Sequence, residues 1–266
     1  MSILFENIIA ETEFEEIISK TLNSKLLKFS GKRGNEKIDL DISKIIFCEN
    51  FLHYKIDRKK KYPRDPWSLQ RKMQYTILED LRDLFEPNQI SIDIASQNKN
   101  LLSFLGLNNE NNKCLDTFGN PDYLKDIHGN LEGIQKNYFK YLFCFNFMLF
   151  SKNPEKALEN MSSIMRKNGI AIIGFPNLGY WYNDKLFCGY DNFSPGKIAM
   201  ITDKFFNEMI LIPVGNIYYS SINYFCKKVT KKNWRLGQLL MKILVTVCKI
   251  EKSPSTAMEY IAICKK

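Results

Sequence analysis

The stretch that decides the fold reads Tyr138-Phe139-Lys140-Tyr141-Leu142-Phe143-Cys144-Phe145-Asn146, then Asn153-Pro154-Glu155-Lys156-Ala157-Leu158, then Asn168-Gly169-Ile170-Ala171-Ile172-Ile173-Gly174-Phe175-Pro176-Asn177. Two apolar runs, Tyr141 to Phe145 and Ile170 to Phe175, have the length and bounds of strands. Between them Ala157, Leu158, Met161 and Ile164 fall on one side of a helix from Pro154 to Met165, which Asn168-Gly169 is expected to stop before the second strand.

Working outward, the same alternation continues in both directions. Ile90 to Ile94 and Cys114 to Phe118 are further short apolar runs separated by helical segments, and such alternation predicts a parallel sheet with helices on both faces. Before them, Asp65-Pro66 reads as N-cap and first helical position. A stripe of Leu69, Met73, Ile77, Leu81 and Leu84 follows until Pro87. Downstream the pattern predicts a helix from Asp203 to Leu211, a strand near Val214 to Tyr219, an amphipathic helix from Asn233 to Lys249 and a final strand from Glu259 to Cys264.

At the start of the chain Thr12 and Glu15 form a capping box ahead of Phe14, Ile17, Ile18, Leu22 and Leu26, so an amphipathic helix is expected there. Ile38, Leu40 and Ile42 alternate as a short strand does, whereas the run from Ile46 to Leu52 fits either element. The expected division is an N-terminal extension over 1–64 packed on a main domain over 65–266. No repeat or low-complexity segment interrupts it.

Composition narrows the classes. A chain of 266 residues with 45% hydrophobic content can bury one large core. Met1 to Ala10 has neither the basic start nor the small-residue cleavage site of a signal peptide, and Tyr141 to Phe150 and Met241 to Val247 fall short of the ~20 apolar residues a bilayer requires. A cytoplasmic protein is the expectation.

The seven cysteines are odd in number and scattered among apolar neighbours, as buried thiols are, and no pair has metal-ligand spacing. With His53 and His128 the only histidines, no metal is expected. The net charge of +9 is read as solvated surface in a lysine-rich chain.

The quoted segment resembles the second half of the class I S-adenosylmethionine-dependent methyltransferases, especially the small-molecule type often called type 11. There it forms the fourth strand, its helix and the fifth strand. Weaker likeness extends from about Asp65 to the C-terminus. The resemblance implies a seven-stranded Rossmann-like sheet whose last strand runs antiparallel, and S-adenosylmethionine as cofactor.

It also implies a set of cofactor-binding positions. Ser91-Ile92-Asp93-Ile94-Ala95-Ser96-Gln97-Asn98-Lys99 occupies the place of the glycine motif, with Asp93 matching its acid. Asp116, twenty-three residues on, takes the place of the acid that holds both ribose hydroxyls. Asn130, in Gly129-Asn130, stands where an acid faces the adenine amine, and Asn146 closes the fourth strand.

Read as residues alone, Asp93 and Asp116 serve equally well as turn caps, and Asn130 as a turn residue. The three glycines of the motif are replaced by Ala95, Gln97 and Lys99, and Leu149-Phe150 stands where the family commonly has Glu-His. Two readings stay open. Either Lys99 or Gln97 contacts the donor carboxylate through its side chain, or those side chains close the pocket of an inactive protein that serves as a partner or scaffold.

Acceptor contacts are expected from Asn177, Tyr180, Trp181 and Tyr182, beyond the fifth strand, where open α/β sheets bind ligands. The wording Pro176-Asn177-Leu178-Gly179-Tyr180-Trp181 is similar to that of methyltransferase-like proteins of bacterial methionine biosynthesis. An aromatic packing cluster explains it as well.

His53, Tyr54, Tyr182 and Tyr219 could each act as a base, but none lies in a diagnostic motif, so no catalytic residue is assigned. The basic stretch Arg58, Lys59, Lys60, Lys61 and Arg64, ahead of Trp67, Arg71 and Lys72, raises nucleic-acid binding. Cys144-Phe145-Asn146-Phe147 is not the Asn-Pro-Pro-Tyr of base-modifying enzymes, which counts against it. Lys228, Lys231, Lys232 and Arg235 raise peripheral membrane contact, for which packing on the sheet is the plainer account. The activity expected is methyl transfer to a small-molecule or sugar-like acceptor.

Overall fold

The computed structural model describes residues 2–33, 36–38, 46–48, 69–177, 192–215, 229, 232–233, 235–237, 239–240, 243 and 257–266. Its centre is the segment that opened the sequence. Strand β8 (Phe139–Cys144) leads through a short 3-10 turn to α4 (Pro154–Ile164), which returns as β9 (Met165–Pro176).

Helix α4 starts because the Asn153 side chain accepts a hydrogen bond from the Lys156 amide at 3.1 Å while Pro154 takes the first helical position. It buries Ala157, Leu158, Met161 and Ile164 against the sheet. Asn168-Gly169 does not separate helix from strand, as expected, but lies within β9. Asn168 adopts φ +61°, and the register against β8 shifts there, so the pair bends the strand.

Around this unit β5 (Ser91–Ile94), β6 (Lys113–Asp116) and β7 (Tyr123–Leu124) lie parallel on one side. On the other side β11 (Glu259–Lys265) runs antiparallel to both β9 and β10 (Glu208–Val214). The spatial order β7-β6-β5-β8-β9-β11-β10 reverses direction between β5 and β8, the topological switch point of an open α/β sheet. Seven strands with the last antiparallel match the implied plan.

Beyond β10 the sheet continues into β4 (Ile46–Cys48), β2 (Leu26–Arg33) and β1 (Ser2–Ile8), with β3 (Glu36–Ile38) paired to β2. The capping box works as predicted: Thr12 Oγ1 accepts from the Glu15 amide at 3.2 Å and starts α1 (Glu13–Thr21). The strands that flank this helix are not marked in the sequence.

Helices α1, α2 (Leu69–Asp80) and α3 (Asn100–Phe104) cover one face, over a core that includes Ile18, Met73, Ile77, Leu102, Phe143, Ile172 and Ile261. The other face is covered by α4 and α5 (Pro195–Thr202) over Ile92, Ile94, Leu142, Ile173, Phe175, Tyr260 and Ala262.

The C-terminal expectations need one correction. The helix is Pro195–Thr202, not Asp203–Leu211, because Ser194 caps the Lys197 amide and Pro195 opens the first turn. Met209 to Ile212 belongs to β10, whose residues pair with β4 and β11. The expected strand near Val214 is therefore β10, set earlier in the chain. Tyr219, and most of the helix expected over 233–249, lie outside the described residues, although 235–237, 239–240 and 243 are helical.

The described cysteines Cys114, Cys144 and Cys264 are buried and unbridged. Burial raises the Cys114 thiol to about 11. No described helix is long and apolar enough to cross a membrane.

Candidate functional site

Side chains alternate faces along a strand, and Ile92, Ile94, Leu115 and Tyr260 all point into the core beneath α4 and α5. Asp93, Asp116 and Glu259 therefore project from the opposite face, the one carrying α2. All three are buried, at 4%, 8% and 0% exposure. Asp116 and Glu259 stand at the carboxyl edge of the parallel strands, where β6 ends and the antiparallel β11 begins.

The loop after β5 keeps a shape its sequence disguises. Ala95 has φ +59°, the left-handed conformation that normally calls for glycine and costs another residue about 1–2 kcal/mol. Asn146, two residues beyond β8, has the same φ of +59°. Two left-handed non-glycine residues thus flank the switch point. Such outliers persist where the surrounding structure requires them, and they concentrate at ligand sites.

The Ser96 amide ties the β5 loop to β6 by donating to the Leu115 carbonyl at 3.2 Å. Asp116 accepts from the Thr117 amide at 2.7 Å, which fixes its carboxylate at the strand end. Gln97 lies across the loop after β6, where a Cβ on Gly119 would sit 2.8 Å from its Cδ. Lys99, the N-cap of α3, holds Asp122 at 3.1 Å, and the other Asp122 oxygen takes the Cys114 amide at 2.8 Å. Burial acts to raise the Asp122 carboxyl, but the Cys114 and Lys99 bonds outweigh it and leave its pKa below the ordinary range.

Asn130 is exposed and caps its own turn by accepting from the Glu132 amide at 3.0 Å. The loop before it is held by a chain of bonds. The His128 ring meets Asp126 Oδ1 at 2.7 Å through Nδ1 and Ser151 Oγ at 2.7 Å through Nε2, while Asn160 Nδ2 donates to the carbonyls of Ile127 and Gly129. Ser151 is only 1% exposed and its amide bonds the Met148 carbonyl, so this Ser-His-Asp arrangement fastens a loop and presents no nucleophile.

The third acid was not singled out in the sequence. The Glu259 carboxylate accepts from Gln74 Nε2 at 2.8 and 2.9 Å and from Gln70 Nε2 at 3.0 Å, both donors one turn apart on α2. Gly174 makes room for it, since a Cβ there would lie within contact-breaking distance of Glu259 Oε1. The same Gln74 amide lies 3.4 Å from Asn146 Oδ1. Burial raises the Glu259 pKa to about 7, against the lowering effect of Gln70, Gln74 and the charge of Arg71. A charged first residue in the otherwise apolar strand Glu259-Tyr260-Ile261-Ala262-Ile263-Cys264 is the one sequence signal that pointed to it.

Asp93, Ala95, Gln97, Asp116 and Asn146 are thus gathered at the ends of adjacent strands β5, β6 and β8. Lys99 turns to Asp122, and Asn130 stands at the surface. Asn177 follows the carboxyl end of β9, donating from Nδ2 to the Ala257 carbonyl at 2.9 Å. Tyr180, Trp181, Tyr182, His53, Tyr54 and the basic stretch from Arg58 to Trp67 lie outside the described residues. Among the described residues no group of three His, Cys, Asp or Glu side chains is placed to hold a metal ion.

The fold is that of a class I methyltransferase. Strand order, the reversal between β5 and β8, and the antiparallel β11 establish it. No protein-family model matches the chain, and no curated protein does.

Solved structures similar to it include a SAM-dependent methyltransferase from Archaeoglobus fulgidus, 14% identical, with a TM-score of 0.48 over 74% of this chain and 94% of that one. Phosphoethanolamine N-methyltransferase 2 of Haemonchus contortus, in complex with S-adenosyl-L-methionine, is 13% identical, with a TM-score of 0.47 over 73% of this chain and 52% of that one. The 1,6-didemethyltoxoflavin-N1-methyltransferase of Burkholderia thailandensis is 10% identical, with a TM-score of 0.45 over 75% and 79%.

Proposed function

We propose that the chain transfers a methyl group from S-adenosylmethionine to a small-molecule acceptor. The observation that carries this reading is Ala95. At the switch point a residue with a Cβ holds the left-handed turn that glycine would adopt freely, beside two buried acids. The turn lets the backbone approach a ligand closely, and its retention without glycine points to a requirement of the site.

The donor set fits the cofactor. Asp116, fixed by the Thr117 amide, offers its second oxygen to a ribose diol, and carboxylate acceptance of hydroxyl protons is strong in a dry site. Asp93 and the turn at Ala95 take the amino-acid end, with Asn146 across the switch point. When bound, the cofactor supplies an electrophilic methyl on a sulfonium. The chain orients the acceptor in line with that methyl and excludes water, and alignment of this kind accounts for a large share of the barrier reduction. Acceptor contacts from Asn177 and from Tyr180 to Tyr182 belong to the same proposal.

Titration calorimetry with S-adenosylhomocysteine tests it. Wild type should bind, and Asp116→Ala should lose roughly 10- to 100-fold in affinity, the worth of charge-assisted hydrogen bonds, with its melting temperature little changed. Absence of heat with wild type at millimolar ligand overturns the reading. The fold would then serve a non-catalytic partner role, with Gln97 closing the loops over Gly119.

A further inference from the structure

Glu259 is absorbed by neither the packing of the sheet nor the proposed contacts to the donor. It is fully buried, its hydrogen bonds come from the neutral amides of Gln70 and Gln74, and a glycine at 174 clears the volume its carboxylate occupies. Removing a carboxylate from water among apolar groups is costly unless charge or protons compensate it. Among the described residues, Gln70 and Gln74 on α2 bond it, Arg71 of the same helix acts on it by charge, Gly174 on β9 faces it, and Phe145 and Asn146 after β8 lie beside Gly174 and Gln74. Of these only Arg71 carries charge, and it acts on the carboxyl at longer range. Asp93 shares the sheet face, farther along the edge.

Its placement sets what that charge can do. Antiparallel β11 enters the sheet at the carboxyl edge, so its first residue arrives at the same edge as the ends of β5 and β8. Gln74 Nε2 reaches both Glu259 and Asn146, leaving one side chain between the carboxylate and the switch point.

We propose that Glu259 is a specificity-determining residue that favours the cationic sulfonium donor over the neutral thioether product through its buried negative charge. The inference rests on the donor reading above. In a poorly solvated interior a charge acts well beyond hydrogen-bond contact, and the thioether product differs from the donor by one methyl and one positive charge. The carboxylate would therefore assist product release as well as donor capture.

The proton on Glu259 makes the effect visible. Its pKa near 7 places its ionisation within the working range, and a cation nearby favours the ionised form. The sulfonium also lowers the pKa of the donor's own α-amino group, so the part due to Glu259 is the difference in pH dependence between wild type and Glu259→Gln.

Dissociation constants of S-adenosylmethionine and S-adenosylhomocysteine are measured by calorimetry at pH 6, 7 and 8 on wild type and on Glu259→Gln. In wild type the preference for the sulfonium should rise severalfold, with a ceiling of about tenfold, between pH 6 and 8, following the ionised fraction. In Glu259→Gln the preference should be lower and that rise should be absent. The same pH dependence of the ratio in wild type and in Glu259→Gln overturns the proposal while leaving the donor reading intact. Failure of both ligands to bind wild type overturns the donor reading and this inference with it.

Discussion

The carboxyl edge of the sheet has two halves built in opposite ways. On the β5–β6 side the acids are local: Asp93 and Asp116 sit in the strands, and Asp116 is fixed by the amide of its own neighbour Thr117. On the β9–β11 side the acid is held from far away, since Gln74 and Glu259 are 185 residues apart in the chain and Gly174 comes from a third element. The first half stores its cost in backbone, with Ala95 at φ +59°. The second stores it in solvation, as a carboxyl deprived of water. Backbone geometry and buried charge are separate devices, so the turn after β5 and the acid of β11 are set independently of each other.

The largest expected effect breaks the comparison on the Glu259 side. Burial raises this carboxyl to about 7 from the ordinary 4.5. Between those values the folded protein keeps a proton that the unfolded chain releases, so the stabilising contribution is full below pH 4.5, is lost as pH rises to about 7, and is constant above. The span is on the order of 3 kcal/mol. Urea denaturation of wild type and Glu259→Gln from pH 5 to 8 should show the difference between them changing by most of that amount in favour of the variant. Parallel curves would mean that Glu259 titrates as an ordinary carboxyl.

Gly174→Ala comes next. The new Cβ collides with Glu259 Oε1 and stands 3.1 Å from Phe145 Cδ1, so the carboxylate must leave its place under α2. A loss of about 2 kcal/mol is expected, as for overpacking in a tight core. Chemical denaturation checks it, and the effects of Gly174→Ala and Glu259→Gln should not add, because both bear on the group packed against position 174.

The smallest effect sharpens the other half. Ala95→Gly relieves the left-handed strain but loosens the unfolded chain, so stability should change by less than about 1 kcal/mol. Ala157→Gly, in the middle of α4, should cost more than about 1 kcal/mol, because glycine there loses helix propensity and a buried methyl. Thermal melts of the two variants decide it. Equal losses would mean that Ala95 is not strained in solution.

Legibility followed the range of the interactions. The unit from Phe139 to Pro176 could be read because its helix cap, Asn153-Pro154, and its apolar spacing are local properties. The capping box at Thr12 worked for the same reason. β1 and β2 could not be read, since their strands exist through pairing with each other and with β4. The misplaced helix over Asp203–Leu211 failed similarly: Met209 to Ile212 is an apolar run that only its partners in β11 turn into strand.

By itself the sequence determined the alternation of strands and helices, because spacing and periodicity carry that information along the chain, while the antiparallel last strand and the places of Asp93 and Asp116 came from the resemblance to class I methyltransferases. Only the tertiary structure decided that Ala95 keeps a left-handed turn, that Lys99 turns to Asp122, and that Glu259 meets Gln70 and Gln74 over Gly174. The reason is physical: backbone strain and desolvation arise from neighbours brought close by the fold, and neither leaves a local pattern for the sequence to show.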